Sequence, residues 1–186
     1  MKPSTLIDST LFSIVINRLC YQLIENHNDF SNSVLIGLQP RGVVLAERIL
    51  RQIEFIQPGH APQYGSLDVT FHRDDFRRGE KLLIAHDTTI DFNVEDRDVI
   101  LVDDVLYTGR TIRSGLEAVL DFGRPRTVEL LVLIDRRFSR ELPIEPKYIG
   151  QSVDSYDNQK VKVIWKDDGT EDRVVLLTES SSSSNT

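Results

Sequence analysis

The chain has 186 residues, 40% of them apolar and 27% charged, and a formal net charge of −7. That is one domain's worth of a globular protein. No apolar run approaches the roughly 18 residues a membrane helix needs, and "MKPSTLIDST" carries no secretory pattern, so a cytoplasmic protein is expected. An acidic balance argues against a dedicated nucleic-acid binder but not against a local basic patch. A single cysteine, Cys20, excludes an internal disulfide and any multi-cysteine metal site.

In chain order, Leu11, Phe12, Val15, Ile16, Leu19, Leu23 and Ile24 recur at helical spacing and predict a helix with one apolar face, capped near Asp8 or Ser9. Cys20 falls in that pattern and reads as a small buried hydrophobe. "VLIGL" (34–38) is a short continuous apolar run, hence a buried strand, broken by "QPRG". Residues 43–53 predict a helix. "SLDVTFHR" (66–73) alternates Leu67, Val69 and Phe71, the pattern of a strand with one wet face. From 74 to 98 periodicity weakens and charge accumulates. Residues 98–102 and 127–135 are further buried strands, with a helix between them that ends at Gly123. The last third holds shorter strand-like runs, "KYIG", "VKVIW" and "RVVLL", with hairpin chemistry at Asp168-Gly169. The Ser-rich stretch 179–186 is of low complexity and predicts a disordered tail beyond a single domain of residues 1–178.

Buried strands alternating with helices predict an α/β fold, a mainly parallel sheet covered on both faces. Such sheets bind ligands beyond the carboxyl ends of their strands. That rule singles out "GLQPRG", "VDDVLYTGRT" and "IDRRFSR", each directly after a buried strand.

The second of these is the most informative. Val99, Ile100, Leu101 and Val102 run into Asp103 and Asp104. Val105, Leu106 and Tyr107 follow, then Thr108, Gly109, Arg110 and Thr111. A turn of small residues opening a helix aims several backbone N–H groups at one point, which the helix dipole makes attractive to phosphate. Two carboxylates just before it are placed to accept from adjacent hydroxyls or to sit beside Mg²⁺. Alone, "DD" is an ordinary solvated turn and "TGRT" an ordinary helix start; in this order, behind a buried strand, they describe a site for a ribose 5-phosphate. There is no Gly-Lys-Ser/Thr of a Walker loop and no G-x-G-x-x-G of a dinucleotide fold.

"VILVDDVLYTGRT" resembles the phosphoribosyl-pyrophosphate (PRPP) motif of type I phosphoribosyltransferases. With "LDVTFHRDDF" and "RELPIEPKYIGQSV" added, the chain from about residue 11 to 177 resembles one subfamily, the bifunctional pyrimidine operon attenuation regulators and uracil phosphoribosyltransferases. The resemblance implies transfer of phosphoribose from PRPP to uracil, giving UMP and pyrophosphate with Mg²⁺ as cofactor, beneath a small C-terminal hood and a mobile lid. It implies that Asp103 and Asp104 hold the ribose hydroxyls and lie near the metal, which arrives mainly on PRPP. Thr108 to Thr111 would take the 5′-phosphate. Gln39, Pro40, Arg41 and Gly42 would meet the pyrophosphate, although Pro40 and Gly42 also read as simple turn residues, and the family usually has Thr at Pro40. The charged stretch 73–98 would be the lid, with Arg73 as a catalytic and pyrophosphate-binding residue supported by Arg77, Arg78 and Lys81. Tyr107 stands where purine-using relatives place an acid, which favours uracil. Arg136 would donate to the base and Val161 would pack on it, Val161 reading equally as a plain strand residue.

The subfamily's second role is UMP-dependent binding of a pyrimidine leader RNA. Here the matching positions depart. The usual Thr-Arg pair and His of the first helix are Asn17, Arg18 and Tyr21, and the usual Gly-His before "RELPI" is replaced by Arg137, Phe138 and Ser139. Arg18, Arg137 and Arg140 remain as a candidate RNA face. The alternatives are an RNA attenuator, or a PRPP or UMP sensor, with little catalysis, and, among enzymes, an orotate or hypoxanthine transferase. The resemblance also implies a homodimer or homotetramer.

Overall fold

The computed structural model describes residues 2–70, 87–156 and 158–178. Its elements are β1 (Lys2–Ile7), α1 (Ser9–His27), β2 (Ser33–Leu38), α2 (Arg41–Ile56), β3 (Gln63–Leu67), β4 (Asp98–Leu106), α3 (Arg110–Leu120), β5 (Thr127–Arg137), β6 (Tyr148–Asp154), β7 (Gln159–Ile164) and β8 (Arg173–Thr178).

Helix α1 begins where the sequence says it should. The Asp8 carboxylate accepts from the Leu11 N–H at 2.8 Å, satisfying one of the orphan donors of the first turn. Phe12, Val15, Ile16, Leu19, Cys20 and Leu23 are its buried face. Burial pushes the Cys20 thiol up to about 12, so it behaves as packing and not as a nucleophile.

Strands β3-β2-β4-β5-β6 form a five-stranded sheet, every neighbouring pair parallel. All six residues of β2 are buried, as a strand covered on both faces requires. One face carries Leu35, Ile100, Val102, Leu131 and Leu133 against α1 and α2; the other carries Val34, Ile36, Leu101, Leu130 and Val132 against α3. A second sheet, antiparallel in the order β1-β8-β7, forms the hood. Trp165 after β7 is buried edge-on against Phe12 of α1, ring centroids 5.7 Å apart, and seats the hood on the main body.

Four expectations need correction. The hood is not purely C-terminal, because β1 supplies one of its strands. Of the late strand-like runs, "VKVIW" and "RVVLL" join it, while "KYIG" begins β6 in the main sheet. The strand expected over 66–73 starts earlier, at Gln63, and ends at Leu67. The lid expected over 73–98 does not extend to its C-terminal part: Thr89 pairs with Ser66, Val94 is fully buried, and Asp98 already starts β4. Arg73, Arg77, Arg78, Lys81 and the tail 179–186 lie outside the described residues. The expected hairpin joins β7 and β8, but through a longer connection containing a 3-10 turn, Lys166–Asp168. Among the described residues no helix is long and apolar enough to cross a membrane.

Candidate active site

Parallel β2, β4 and β5 end at the same edge of the sheet, which brings the three singled-out segments together. Arg41, the first residue of α2, is the link between them. Its Nε donates to the Asp104 carboxylate at the end of β4, and its Nη2 donates to the Val163 carbonyl of hood strand β7. One guanidinium thus ties the loop after β2, the paired aspartates and the hood. Gly42 behind it is a packing residue as well as a loop residue: a Cβ there would overlap the Val102 carbonyl, so only glycine lets α2 start this close to β4. The Gln39–Pro40 peptide is cis, and the Gln39 side chain reaches the Asp87 carbonyl at 3.4 Å.

Asp103 and Asp104 occupy different environments. Asp104 is buried at 6% exposure and paired with Arg41, whereas Asp103 is half-buried and its Oδ1 accepts from the Asp104 N–H at 2.9 Å. That contact fixes the turn of the backbone. Beyond them, Gly109 takes φ +91°, a left-handed conformation suited to glycine, and precedes α3 with no side chain capping the helix. The first-turn N–H groups of α3 therefore face outward in the manner of an anion cradle.

Tyr107 lies between the aspartates and this turn. The Arg136 guanidinium carbon sits 4.0 Å from its ring centroid, a cation–π contact. Arg136 is itself buried, donating from Nε to Ser155 at 2.7 Å and from Nη2 to the Gln159 carbonyl at 2.9 Å. These bonds hold it as a strut beneath Tyr107. Val161 is buried in the core with Trp165 and Val174.

The three arginines of the candidate RNA face each make an internal contact. Arg18 donates to the Ile149 and Gly150 carbonyls of β6. Arg137 pairs with Asp154 at 2.7 Å. Arg140 turns toward the active site, donating to the Tyr107 carbonyl at 2.6 Å and pairing with buried Asp135. Sequence reasoning missed Asp135 and this inward turn, although the strand-end rule had marked the segment that holds both.

Known proteins share this domain and this fold. The family model for the phosphoribosyl transferase domain matches residues 4–167. The "Bifunctional protein PyrR" of Clostridioides difficile is 39% identical over 176 residues, covering 95% of this chain and 98% of that protein. The protein of the same name from Desulfosudis oleivorans is 41% identical, covering 95% and 97%. Among solved structures, a hypoxanthine phosphoribosyltransferase from Staphylococcus aureus superposes with a TM-score of 0.64 at 20% identity, over 85% of this chain and 80% of that one. A structure of a glutamine mutant at an invariant aspartic acid of HPRTs gives 0.70 at 15% identity over 94% of both chains. At those identities the structures speak for the fold alone, the type I phosphoribosyltransferase fold. The match to the domain model and the PyrR relatives over nearly the whole length show that the chain belongs to the phosphoribosyl transferase family, in the branch of the bifunctional PyrR proteins.

Proposed function

We propose that the chain transfers phosphoribose from PRPP to uracil, releasing UMP and pyrophosphate. The observation that carries this reading is the convergence of an uncapped helix start, two carboxylates and Arg41 at one sheet edge. The turn 108–111 takes the 5′-phosphate through backbone N–H groups. Asp103 accepts from the ribose hydroxyls, and Asp104 does so once Arg41 exchanges its carboxylate for the pyrophosphate. Moving that guanidinium from one anion to another places positive charge where the leaving group develops its own.

The donor set suits Mg²⁺ carried in by the substrate. Among the described residues no group of three or more His, Cys, Asp or Glu forms a metal cage. Two carboxylates beside substrate phosphates are a common way to hold this hard cation. When bound, the ion neutralises charge on the departing pyrophosphate. Arg73, which would add to that neutralisation, is proposed on the resemblance alone.

Uracil is favoured because Tyr107 supplies a phenol where purine relatives carry an acid, and its ring is held in place by Arg136. The experiment is a panel of bases offered with PRPP and Mg²⁺, with pyrophosphate release measured. Uracil is converted and hypoxanthine is not; comparable turnover of hypoxanthine, guanine or orotate would defeat the assignment. The PyrR resemblance implies UMP-dependent regulation of pyrimidine genes as a second role, which leader-RNA titration with and without UMP tests, a cytoplasmic location, and a homodimer or homotetramer as the assembly. Light scattering of the purified chain reads the assembly directly.

A further inference from the structure

We propose that Arg140 and Glu141 are positioning residues for the phosphate-binding turn. The strap 140–144 sets the direction in which residues 107–110 present their backbone N–H groups. This rests on the phosphoribosyl-transfer reading above and deepens it at the same site.

The turn has little internal support. No side chain caps α3, and the contact from the Arg110 N–H to Thr108 Oγ1 is long at 3.4 Å. Gly109 at φ +91° adds conformational freedom in the unbound chain. The strap supplies what is missing. The Glu141 and Leu142 N–H groups both donate to the Thr108 carbonyl, at 3.0 and 3.2 Å. Arg140 Nη1 donates to the Tyr107 carbonyl at 2.6 Å. The Glu141 carboxylate holds Arg110 Nε at 2.6 Å. Ile144 closes the underside of Gly109, 3.3 Å from where a Cβ would stand. The other arm of Arg140 is fastened to Asp135, a buried residue of β5 paired in register with Leu106 and Ser152, so the strap is anchored to the sheet.

The geometric consequence follows from peptide planarity. In a trans peptide the C=O and the next N–H lie in one plane and point in opposite directions. Fixing the Tyr107 carbonyl on Arg140 therefore aims the Thr108 N–H away from the strap. Fixing the Thr108 carbonyl on Glu141 and Leu142 aims the Gly109 N–H the same way. The strap holds the carbonyl side of each peptide so that the N–H side is available to an anion before one arrives. Orientation prepared in advance of binding lowers the cost of binding.

The role predicts a phosphate-specific defect. Calorimetric titration of the full chain with UMP and with uridine, which lacks the phosphate, separates it from general damage. Arg140→Gln should weaken UMP about tenfold, the size expected for losing a charge-assisted hydrogen bond, and leave uridine unchanged. Arg140→Lys keeps a cationic donor for the Tyr107 carbonyl and should restore most of the loss. In turnover assays the same variants should raise KM for PRPP more than KM for uracil. Glu117→Gln, in an exposed pair with Arg113 further along α3, should match wild type. Equal weakening of UMP and uridine, or full UMP affinity in a folded Arg140→Gln variant, overturns the proposal. Should Arg140→Gln not fold, Glu141→Gln at its half-exposed site gives the same readout: the preference for UMP over uridine falls, and an unchanged preference overturns the proposal. If the wild-type chain binds neither UMP nor PRPP, the phosphoribosyl-transfer reading itself falls.

Discussion

Asp103 and Asp104 are neighbours in sequence with different tasks in the unliganded site. Asp104 is committed to Arg41, so removing its charge also strands a guanidinium that joins the α2 loop to the hood. Asp103 can be probed with its backbone contact kept. In Asp103→Asn the side-chain carbonyl can still accept from the Asp104 N–H, so the turn survives while the negative charge is lost. We expect kcat/KM to fall at least about tenfold, or roughly 1.4 kcal/mol at the transition state. Asp104→Asn should cost at least as much activity and also lower the melting temperature, because a buried partner is removed. Wild-type activity in a folded Asp103→Asn variant would exclude the assigned role. The aspartates and the small-residue turn were legible in the sequence because their chemistry is local. The present contacts of Arg136, Arg140 and Val161 were not, because which way a side chain on a strand end or loop points is decided by partners far along the chain: Ser155 and Gln159 for Arg136, Asp135 and Tyr107 for Arg140, and Trp165 and Val174 for Val161.

The strands divide their labour between their two ends. The carboxyl ends carry the site, and the amino ends are closed by two polar knots. At the start of β4, Asp98 pairs with Arg126 and accepts from Thr127 at 2.7 Å. The Arg126 hydrogen bonds hold its carboxyl below the usual range, with Thr127 adding to the effect against the opposing pull of burial. At the start of β5 and β6, Glu129 accepts from Lys147 and Tyr148 at 2.6 and 2.7 Å, next to buried His27. Burial would raise the Glu129 carboxyl, but those hydrogen bonds and the nearby histidine together bring it below its ordinary value. A carboxylate whose folded pKa is depressed contributes stability that is fully present above its unfolded value. That stability is lost as pH falls through the folded one. Unfolded Asp and Glu titrate near about 4. Urea midpoints should therefore stay level from pH 7 to about 5 and drop below about pH 4. Asp98→Asn should lower the midpoint at pH 7 and flatten the acid decline; an unchanged slope would show that the knot plays no part. The same element view explains which strands could be read in advance. β2, β4 and β5 are continuous apolar runs, the signature of parallel strands buried on both faces. β1 reads "KPSTLI", with a proline and no alternation; it is an edge strand made regular by pairing with β8 at the other end of the chain, a contact no local pattern encodes.

On the scale of the whole molecule the open matter is RNA. Leader binding needs a cationic surface for the phosphates and specific polar groups for the bases. The chain is acidic overall, at −7. Its three candidate contacts already have partners: strand β6 for Arg18 and, through Asp154, for Arg137, and the phosphate turn for Arg140. Arg126, another of the basic residues, is taken by Asp98. Recruiting them to RNA would cost the contacts they now make, and Arg140 would have to leave the site that binds the UMP signal. The departures at Asn17, Tyr21 and Ser139 also remove groups the subfamily usually offers. We therefore expect binding of the charge-driven kind only, with Kd on the order of 10⁻⁴–10⁻⁶ M, weakening steeply with salt and indifferent to UMP. Filter-binding titrations with the leader of the organism's own pyrimidine genes, run with and without UMP at two salt concentrations, measure this directly. Nanomolar affinity that strengthens with UMP and persists at higher salt would mean that the arginines leave their present partners on binding. Regulation would then be built on a rearranged surface, with the strap that carries Arg140 as the element that moves.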